Sequence, residues 1–199
     1  MSFRLLCLTG AACLTLAGAA VAVPGTLGPN LLQNGSFDHP PPSSGGAPPG
    51  WTWGTANQCQ ATMALDTTVA HAGKPSLRLH SDTAYAPNVY GGLAARVTGL
   101  RPRGEYVIRL WAKGKGVGTC WFGGGPQWLA RRGVSEGDYD WRQLELRWTA
   151  PVGVTDFELR INVDSQTEAL WVADVTFQEV NPISLVPRVT PIPLAERSG

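Results

Sequence analysis

The chain lacks the features that mark several large classes of protein. Its 199 residues include only four cysteines and two methionines. No segment keeps a helical period for three turns, which argues against a helical domain. After residue 22, no run is apolar enough to cross a bilayer, which requires ~20 predominantly apolar residues. The sequence therefore predicts neither a helical bundle nor a membrane span in its main part.

An excess of charge of either sign is also lacking. The chain carries 16 basic and 15 acidic residues. Arg4 is the only charged residue among residues 1–22, so the rest of the chain carries equal numbers of both signs. Such a balance gives no electrostatic reason to expect nucleic acid or an anionic membrane as a partner.

Residues 1–22 predict a secretory signal peptide. Arg4 precedes an apolar run that extends from Leu5 to Val21, and Ala20-Val21-Ala22 is a small-residue cleavage pattern. The alternative is a retained membrane anchor, although the run contains two glycines and two threonines. We expect removal of this segment and a secreted protein, either extracellular or at the periplasm or cell surface.

Cysteine is scarce once the leader is removed. Cys7 and Cys13 lie in the leader, which leaves Cys59 and Cys120. In an oxidising compartment, a disulfide between these two is the simplest interpretation. Two free thiols are the alternative. The histidines at positions 39, 71 and 80 show no metal-ligand spacing with either cysteine.

Glycine and proline are abundant and separate many short strand-like runs. The chain holds 24 glycines and 16 prolines between segments rich in Val, Leu, Trp and Tyr, a pattern typical of turns between strands. We predict an all-β fold, a two-layer antiparallel β-sandwich of the jelly-roll type. The predicted strands lie near 31–37, 61–66, 76–80, 88–97, 105–113, 118–122, 127–131, 141–149, 155–163 and 168–178.

The same pattern sets the domain boundaries. We predict a sandwich over residues 30–180, preceded by the signal peptide (1–22) and a short lead (23–29). Residues 38–50 hold five prolines and form a loop, since strand-like sequence lies on both sides. Residues 181–199 are predicted to be a Pro-rich extended tail, with a linker or an added strand as alternatives.

Alternation within three strands separates inner from outer faces. Trp111 falls on the outer face together with Arg109. Corresponding outward positions in the later strands are held by Gln143, Glu145, Arg160 and Asn162. The inward set comprises Tyr106, Ile108, Leu110, Ala112, Leu144, Leu146, Trp148, Phe157, Leu159, Ile161 and Val163.

Three segments resemble the CenC-like superfamily of bacterial carbohydrate-binding modules. The first is the opening at residues 30–38 with Pro49-Gly50-Trp51. The second runs from Asp66 through His71-Ala72-Gly73-Lys74-Pro75-Ser76-Leu77-Arg78-Leu79. The third runs from Val97 through Trp111-Ala112-Lys113, and Leu170 to Val175 closes the domain. The resemblance implies a galactose-binding-like jelly roll that binds a polysaccharide or glycan without catalysis, on its own or beside a cell-envelope or enzyme partner.

Binding a sugar requires an aromatic plane for its apolar face and planar polar groups for its hydroxyls. The predicted site consists of Trp111, Arg109, Gln143, Glu145, Arg160 and Asn162, provided that their strands are neighbours. The alternative interpretation is a core tryptophan beside a solvated charged row. Trp51, Trp148 and Trp171 are better suited to packing, whereas Trp53, Trp121 and Trp128 lie in Gly-rich stretches suited to a loop-built site.

The resemblance also implies a structural calcium ion. Asp38 stands at the family's first ligand position and Asp174 at the closing one. The closing pair reads Ala173-Asp174, so one family acid is missing. Calcium accepts six to eight oxygen ligands in flexible geometry, and a solvated Asp174 is the alternative.

Two other functions remain open at this point. A jelly-roll lyase or glycosidase requires a suitable acid and base, for which Glu145 and Glu158 are the candidate carboxylate pair. Cross-strand ion pairing with Arg147 and Arg160 explains the same residues. A structural or adhesive surface protein would instead show a wide apolar patch without convergent polar groups.

Overall fold

A computed structural model describes residues 26–43, 45–128 and 130–181. Nearly all regular structure in these ranges is extended, and a single 3-10 turn at Pro126–Trp128 interrupts it. The strands are β1 (Thr26–Asn30), β2 (Thr52–Ala56), β3 (Ala61–His71), β4 (Lys74–Ser81), β5 (Tyr90–Thr98), β6 (Glu105–Val117), β7 (Cys120–Gly124), β8 (Ala130–Gly133), β9 (Gly137–Thr149), β10 (Asp156–Val163) and β11 (Thr167–Asn181).

The strands form two sheets. The six-stranded sheet has the order β3-β4-β11-β6-β9, with β1 also paired to β11, and the five-stranded sheet has the order β2-β5-β10-β7-β8. Every paired neighbour is antiparallel. The predicted two-layer antiparallel sandwich is therefore confirmed.

The core lies between the sheets and is built from the alternate residues that the sequence predicted. Phe157 on β10 packs against Phe177 on β11 with ring centroids 5.1 Å apart, and both rings are fully buried. Burying a phenylalanine of this kind contributes about 1.5–3 kcal/mol. The predicted inward residues of β6 and β10 are all buried, whereas Leu146 and Trp148 of β9 are partly buried against the same core.

The opening of the domain differs from the prediction. Residues 31–37 are turns rather than a strand, and β1 lies before them, within residues assigned to the N-terminal lead. Asn34 and Phe37 have φ values of 50° and 58°, a left-handed conformation that breaks a strand. The Asn30 side chain stabilises the turn, because its amide donates to the carbonyl of Val175 and its oxygen accepts from the amides of Leu32 and Phe177.

The structure does not contain the predicted disulfide: Cys59 and Cys120 are separate, buried thiols. Each sulfur lies beside a hydroxyl instead. Sγ of Cys59 is 3.9 Å from Oγ of Ser81, and Sγ of Cys120 is 3.5 Å from Oγ1 of Thr167. Burial raises the pKa of the Cys120 thiol to about 12, so it stays protonated at neutral pH.

The predicted signal peptide and most of the predicted tail lie outside the described residues. Asn181, assigned to the tail, is the last residue of β11. Within the described ranges, no helix has both the length and the apolar character needed to traverse a membrane.

Candidate functional site

The six predicted site residues do not share one face. Arg109 and Trp111 lie on β6 and pair with Glu145 and Gln143 of β9 in the six-stranded sheet. Arg160 and Asn162 lie on β10, which belongs to the other sheet. The outward parity was predicted correctly, but the assumption that these strands are neighbours was wrong.

On the six-stranded sheet, the predicted site residues Trp111 and Arg109 contact other side chains of the protein. The Trp111 ring stacks on His71 with centroids 4.3 Å apart, and Trp141 packs against the same imidazole. The Arg109 guanidinium binds the Glu145 carboxylate at 2.8 Å, and Arg147 binds the other oxygen of that carboxylate. The three aromatic side chains thus pack against one another beside a row of ion-paired arginine and glutamate side chains.

The candidate calcium ligands have other partners in this arrangement. One oxygen of Asp174 lies 2.7 Å from Nδ1 of His71, and the other lies 3.5 Å from Nζ of Lys74. Asp38 accepts a hydrogen bond from Ser36. No group of three or more His, Cys, Asp or Glu suited to a metal occurs in the described ranges. The nearby Lys74 ammonium group weighs against Asp174 as a calcium ligand. Calcium remains a prediction.

The outer face of the five-stranded sheet is recessed at its centre, where small residues lie. On this face Arg160 pairs with Ala94 on one side and Gly123 on the other, and Asn162 pairs with Gly92. A Cβ at Gly123 would come within 2.1 Å of the carbonyl oxygen of Ala130, so no larger residue fits there. Gly92 and Ala94 line a depression on this face, and a larger groove lies beside it.

Two tryptophans form one wall of this groove. Trp121 on β7 and Trp128 in the 3-10 turn meet edge to face, with ring centroids 6.1 Å apart. Trp128 remains 42% exposed, and it has a φ of 57° after Gln127 at 56°. Left-handed backbone is unusual for bulky residues, and such strain concentrates at functional sites. The turn thus holds a large indole at the solvent-facing rim.

Two guanidinium groups line the same groove. Arg160 lies over the rings of both Trp128 and Tyr90, at 4.6 and 6.0 Å from their centroids. Its Nε donates to Glu158 and its Nη1 donates to the hydroxyl of Tyr90. Arg131 lies 5.8 Å from the Trp121 ring centroid. These contacts hold both guanidinium groups at the groove. Some of their N–H groups have no hydrogen-bond acceptor among the described residues.

Two acceptors at the base of the groove lack hydrogen-bond partners. Asn162 is only 2% exposed, and neither its Oδ1 nor Oδ1 of Asp164 is bonded to any described residue. The other Asp164 oxygen accepts from the indole Nε1 of Trp121 at 2.7 Å. Burial raises the pKa of the Asp164 carboxyl. Hydrogen bonds from Trp121 and Asn162 and the positive charge of Arg131 act in the opposite direction but are outweighed. Buried polar atoms are nearly always satisfied, so these two oxygens have acceptor capacity left for a water molecule or for a ligand donor.

The groove occupies about 380 Å³ and adjoins a second depression of about 260 Å³. Tyr90 and Arg160 line both spaces. Residues that line the larger one, called the aromatic groove below, are Tyr85, Ala86, Pro87, Asn88, Val89, Tyr90, Trp121, Trp128, Arg131, Arg160, Asn162 and Asp164.

The sequence contained partial signals of this groove. Trp121 and Trp128 were considered for a loop-built site because glycines surround them, whereas Trp53 faces the core and packs against it. Trp171, expected to pack, instead donates its indole N–H to Asp66 and is partly exposed. Tyr85, Tyr90, Arg131 and Asp164 were missed, since only the strand order places them beside Arg160 and Asn162.

The carboxylate pair considered for catalysis does not form. Glu145 lies on β9 of the six-stranded sheet and Glu158 lies on β10 of the other. Arg109 and Arg147 of its own sheet bind Glu145, and Arg160 of its own strand binds Glu158. Hydrogen bonds from Arg109 contribute most to lowering the pKa of Glu145, which keeps this carboxylate ionised.

Two comparisons by sequence find no match. No family model matches the chain, and no curated protein matches it either.

Comparison by structure places the fold among known sandwiches. TmCBM61, solved with β-1,4-galactotriose, is 16% identical with a TM-score of 0.52 over 75% of this chain and 98% of its own. A CBM4 structure is 14% identical with a TM-score of 0.55 over 74% and 99%. The CBM22-1 xylan-binding domain of Paenibacillus barcinonensis Xyn10C is 16% identical with a TM-score of 0.55 over 81% and 99%.

A phage enzyme also matches in fold. The enzymatically active domain of bacteriophage CBA120 tailspike protein 4 is 16% identical, with a TM-score of 0.54 over 76% of this chain. This chain spans only about a fifth of that protein, 21%. At these identities the likeness concerns the fold alone. The described residues therefore adopt the jelly-roll β-sandwich fold of carbohydrate-binding modules.

Proposed function

We propose that this protein binds carbohydrate in the aromatic groove on the outer face of its five-stranded sheet. The observation that carries the proposal is the convergence of exposed aromatic rings with unpartnered buried acceptors. Tyr85 and Trp128 are 63% and 42% exposed, and both line the same space as Asn162 and Asp164. A site for small polar ligands is expected to combine apolar walls with a few fixed polar groups.

The chemistry of a sugar ring matches these walls and this base. A pyranose presents an apolar C–H face, which packs on an indole or phenol ring. Its hydroxyls donate to carboxylate and amide oxygens, and they accept from guanidinium groups. Oδ1 of Asn162 and Oδ1 of Asp164 supply the acceptors, and Arg131 and Arg160 supply the donors.

The fold supports this proposal, because several structures that share it are carbohydrate-binding modules. Binding without catalysis is part of the proposal, as is the export of the protein through residues 1–22. A structural or adhesive surface protein remains the competing function, but the groove has convergent polar groups rather than a wide apolar patch.

The first test measures glycan binding by isothermal titration calorimetry after a glycan array has identified a ligand. We expect Trp128→Ala to weaken binding by ~1–3 kcal/mol, because the substitution removes stacking area at the groove rim. Trp128 is exposed, so the variant should keep the melting temperature of the wild type.

Trp111→Ala is the matched control, since it removes an indole from the opposite sheet. Loss of affinity in this variant, with Trp128→Ala unaffected, would transfer the binding site to the six-stranded sheet. A wild-type protein that binds no glycan on the array would refute the proposed function.

A further inference from the structure

We propose that the aromatic groove takes acidic glycans, and that Arg131 and Arg160 bind the carboxylate of a uronic acid residue. This inference rests on the proposed function and goes further by naming the class of sugar. It follows from how the charged groups around the groove are paired.

More guanidinium groups than carboxylates line the aromatic groove. Its titratable charged residues are Arg131, Arg160 and Asp164. Glu158 lies in the adjoining depression and is bound to Nε of Arg160 at 2.7 Å. Arg131 has no carboxylate within ion-pair distance in the part of the chain that the structure describes. Arg131 is thus the guanidinium without an ion-pair partner among the described residues, although the Asp164 carboxylate is close enough to interact with it electrostatically.

Arg160 is held in a fixed position, and one edge of its guanidinium remains available. Aromatic rings of Trp128 and Tyr90 lie against the group, while Glu158 and the Tyr90 hydroxyl occupy its Nε and Nη1. No described residue accepts a hydrogen bond from its Nη2. Arginine binds carboxylates through planar, paired donors, and a guanidinium already ordered by its neighbours loses little further freedom on binding.

Asp164 contributes acceptor oxygens to the same groove. One of its oxygens is bound to the Trp121 indole, and the other has no hydrogen-bond partner among the described residues. A uronate residue has both kinds of group, since its ring carries hydroxyl donors and its C6 carries a carboxylate. The groove therefore offers acceptors for the hydroxyls and cations for the acid on a single sugar ring.

The test compares acidic polymers with their neutral counterparts. The probes are polygalacturonate, alginate and glucuronoxylan, each beside the same polymer after chemical reduction of its carboxyl groups. Reduction keeps the chain and its linkages but removes the charge. We expect at least one acidic polymer to bind about tenfold or more tightly than its reduced form, because charge-assisted hydrogen bonds are stronger than neutral ones. Added salt should reduce that difference through screening.

Two variants assign the effect to the groove. Arg131→Gln should abolish most of the preference for the acidic polymer. Arg96→Gln removes a charge from the same sheet, but Arg96 is ion-paired with Asp156 and does not line the groove, so this variant should keep the preference.

Each further outcome has a clear meaning. Equal binding of all three acidic polymers and their reduced forms would overturn this inference and leave carbohydrate binding intact. An equal loss in Arg131→Gln and Arg96→Gln would overturn the role of Arg131. No binding to any glycan, acidic or neutral, would refute the proposed function itself.

Discussion

At the scale of single residues, the aromatic groove depends on side chains whose neighbours restrict them. Trp121 is fixed by its hydrogen bond to Asp164, and Arg160 is fixed between two rings. Groups ordered before a ligand arrives lose less conformational entropy when it binds. This arrangement favours recognition through a few rigid contacts rather than through a large mobile surface.

The two cysteines provide a test at the same scale. Both thiols are buried, and burial keeps Cys120 protonated with a pKa of about 12. We expect the native protein without residues 1–22 to resist alkylation, because the thiolate is the reactive form. After unfolding in the absence of reductant, mass spectrometry should show both cysteines labelled. An unfolded chain that takes no label would establish a bridge between them.

At the scale of strands, Asp66 ties β3 to β11 across the intervening β4. Its carboxylate accepts from Thr68 and Val69 on one oxygen and from the Trp171 indole on the other. Partial burial alone would raise its pKa, but these hydrogen bonds dominate and lower the pKa of Asp66 from 3.8 to about 2.

This lowered pKa predicts a pH-dependent contribution to stability. A carboxyl with a depressed folded pKa stabilises the fold above its unfolded pKa and loses that contribution as pH falls through the folded value. We therefore expect Asp66→Asn to be less stable than the wild type at neutral pH, as measured by urea unfolding. The difference should shrink between pH 3.8 and about 2. A difference that stays constant over this interval would show that Asp66 acts through packing instead.

At the scale of the whole molecule, the fold was predictable and the assembly of the site was not. Alternation in β6 and β10 identified the buried faces, because each strand carries its own period of two. The strand order carries no such local signal. Arg160 and Trp111 both point outward, yet the topology puts them on opposite faces of the sandwich. The sequence therefore indicated candidate side chains without indicating which ones meet.

Calcium is tested on the intact domain. Lys74 and His71 contact the Asp174 carboxylate, so a protein cation already occupies the surroundings of this candidate ligand. We expect the melting temperature to be the same in excess chelator and in millimolar calcium, as measured by differential scanning calorimetry. A rise with calcium that Asp174→Asn abolishes would instead establish Asp174 as a ligand.

The strand order also determines when the aromatic groove can form during folding. Side chains of the aromatic groove come from positions as distant as Tyr85 and Asp164, and β5 meets β7 only through β10. Pairings between distant segments incur a large loop-closure entropy and form slowly. The groove requires β10 to be paired with both β5 and β7, so ligand binding reports an assembled five-stranded sheet rather than the formation of any local hairpin.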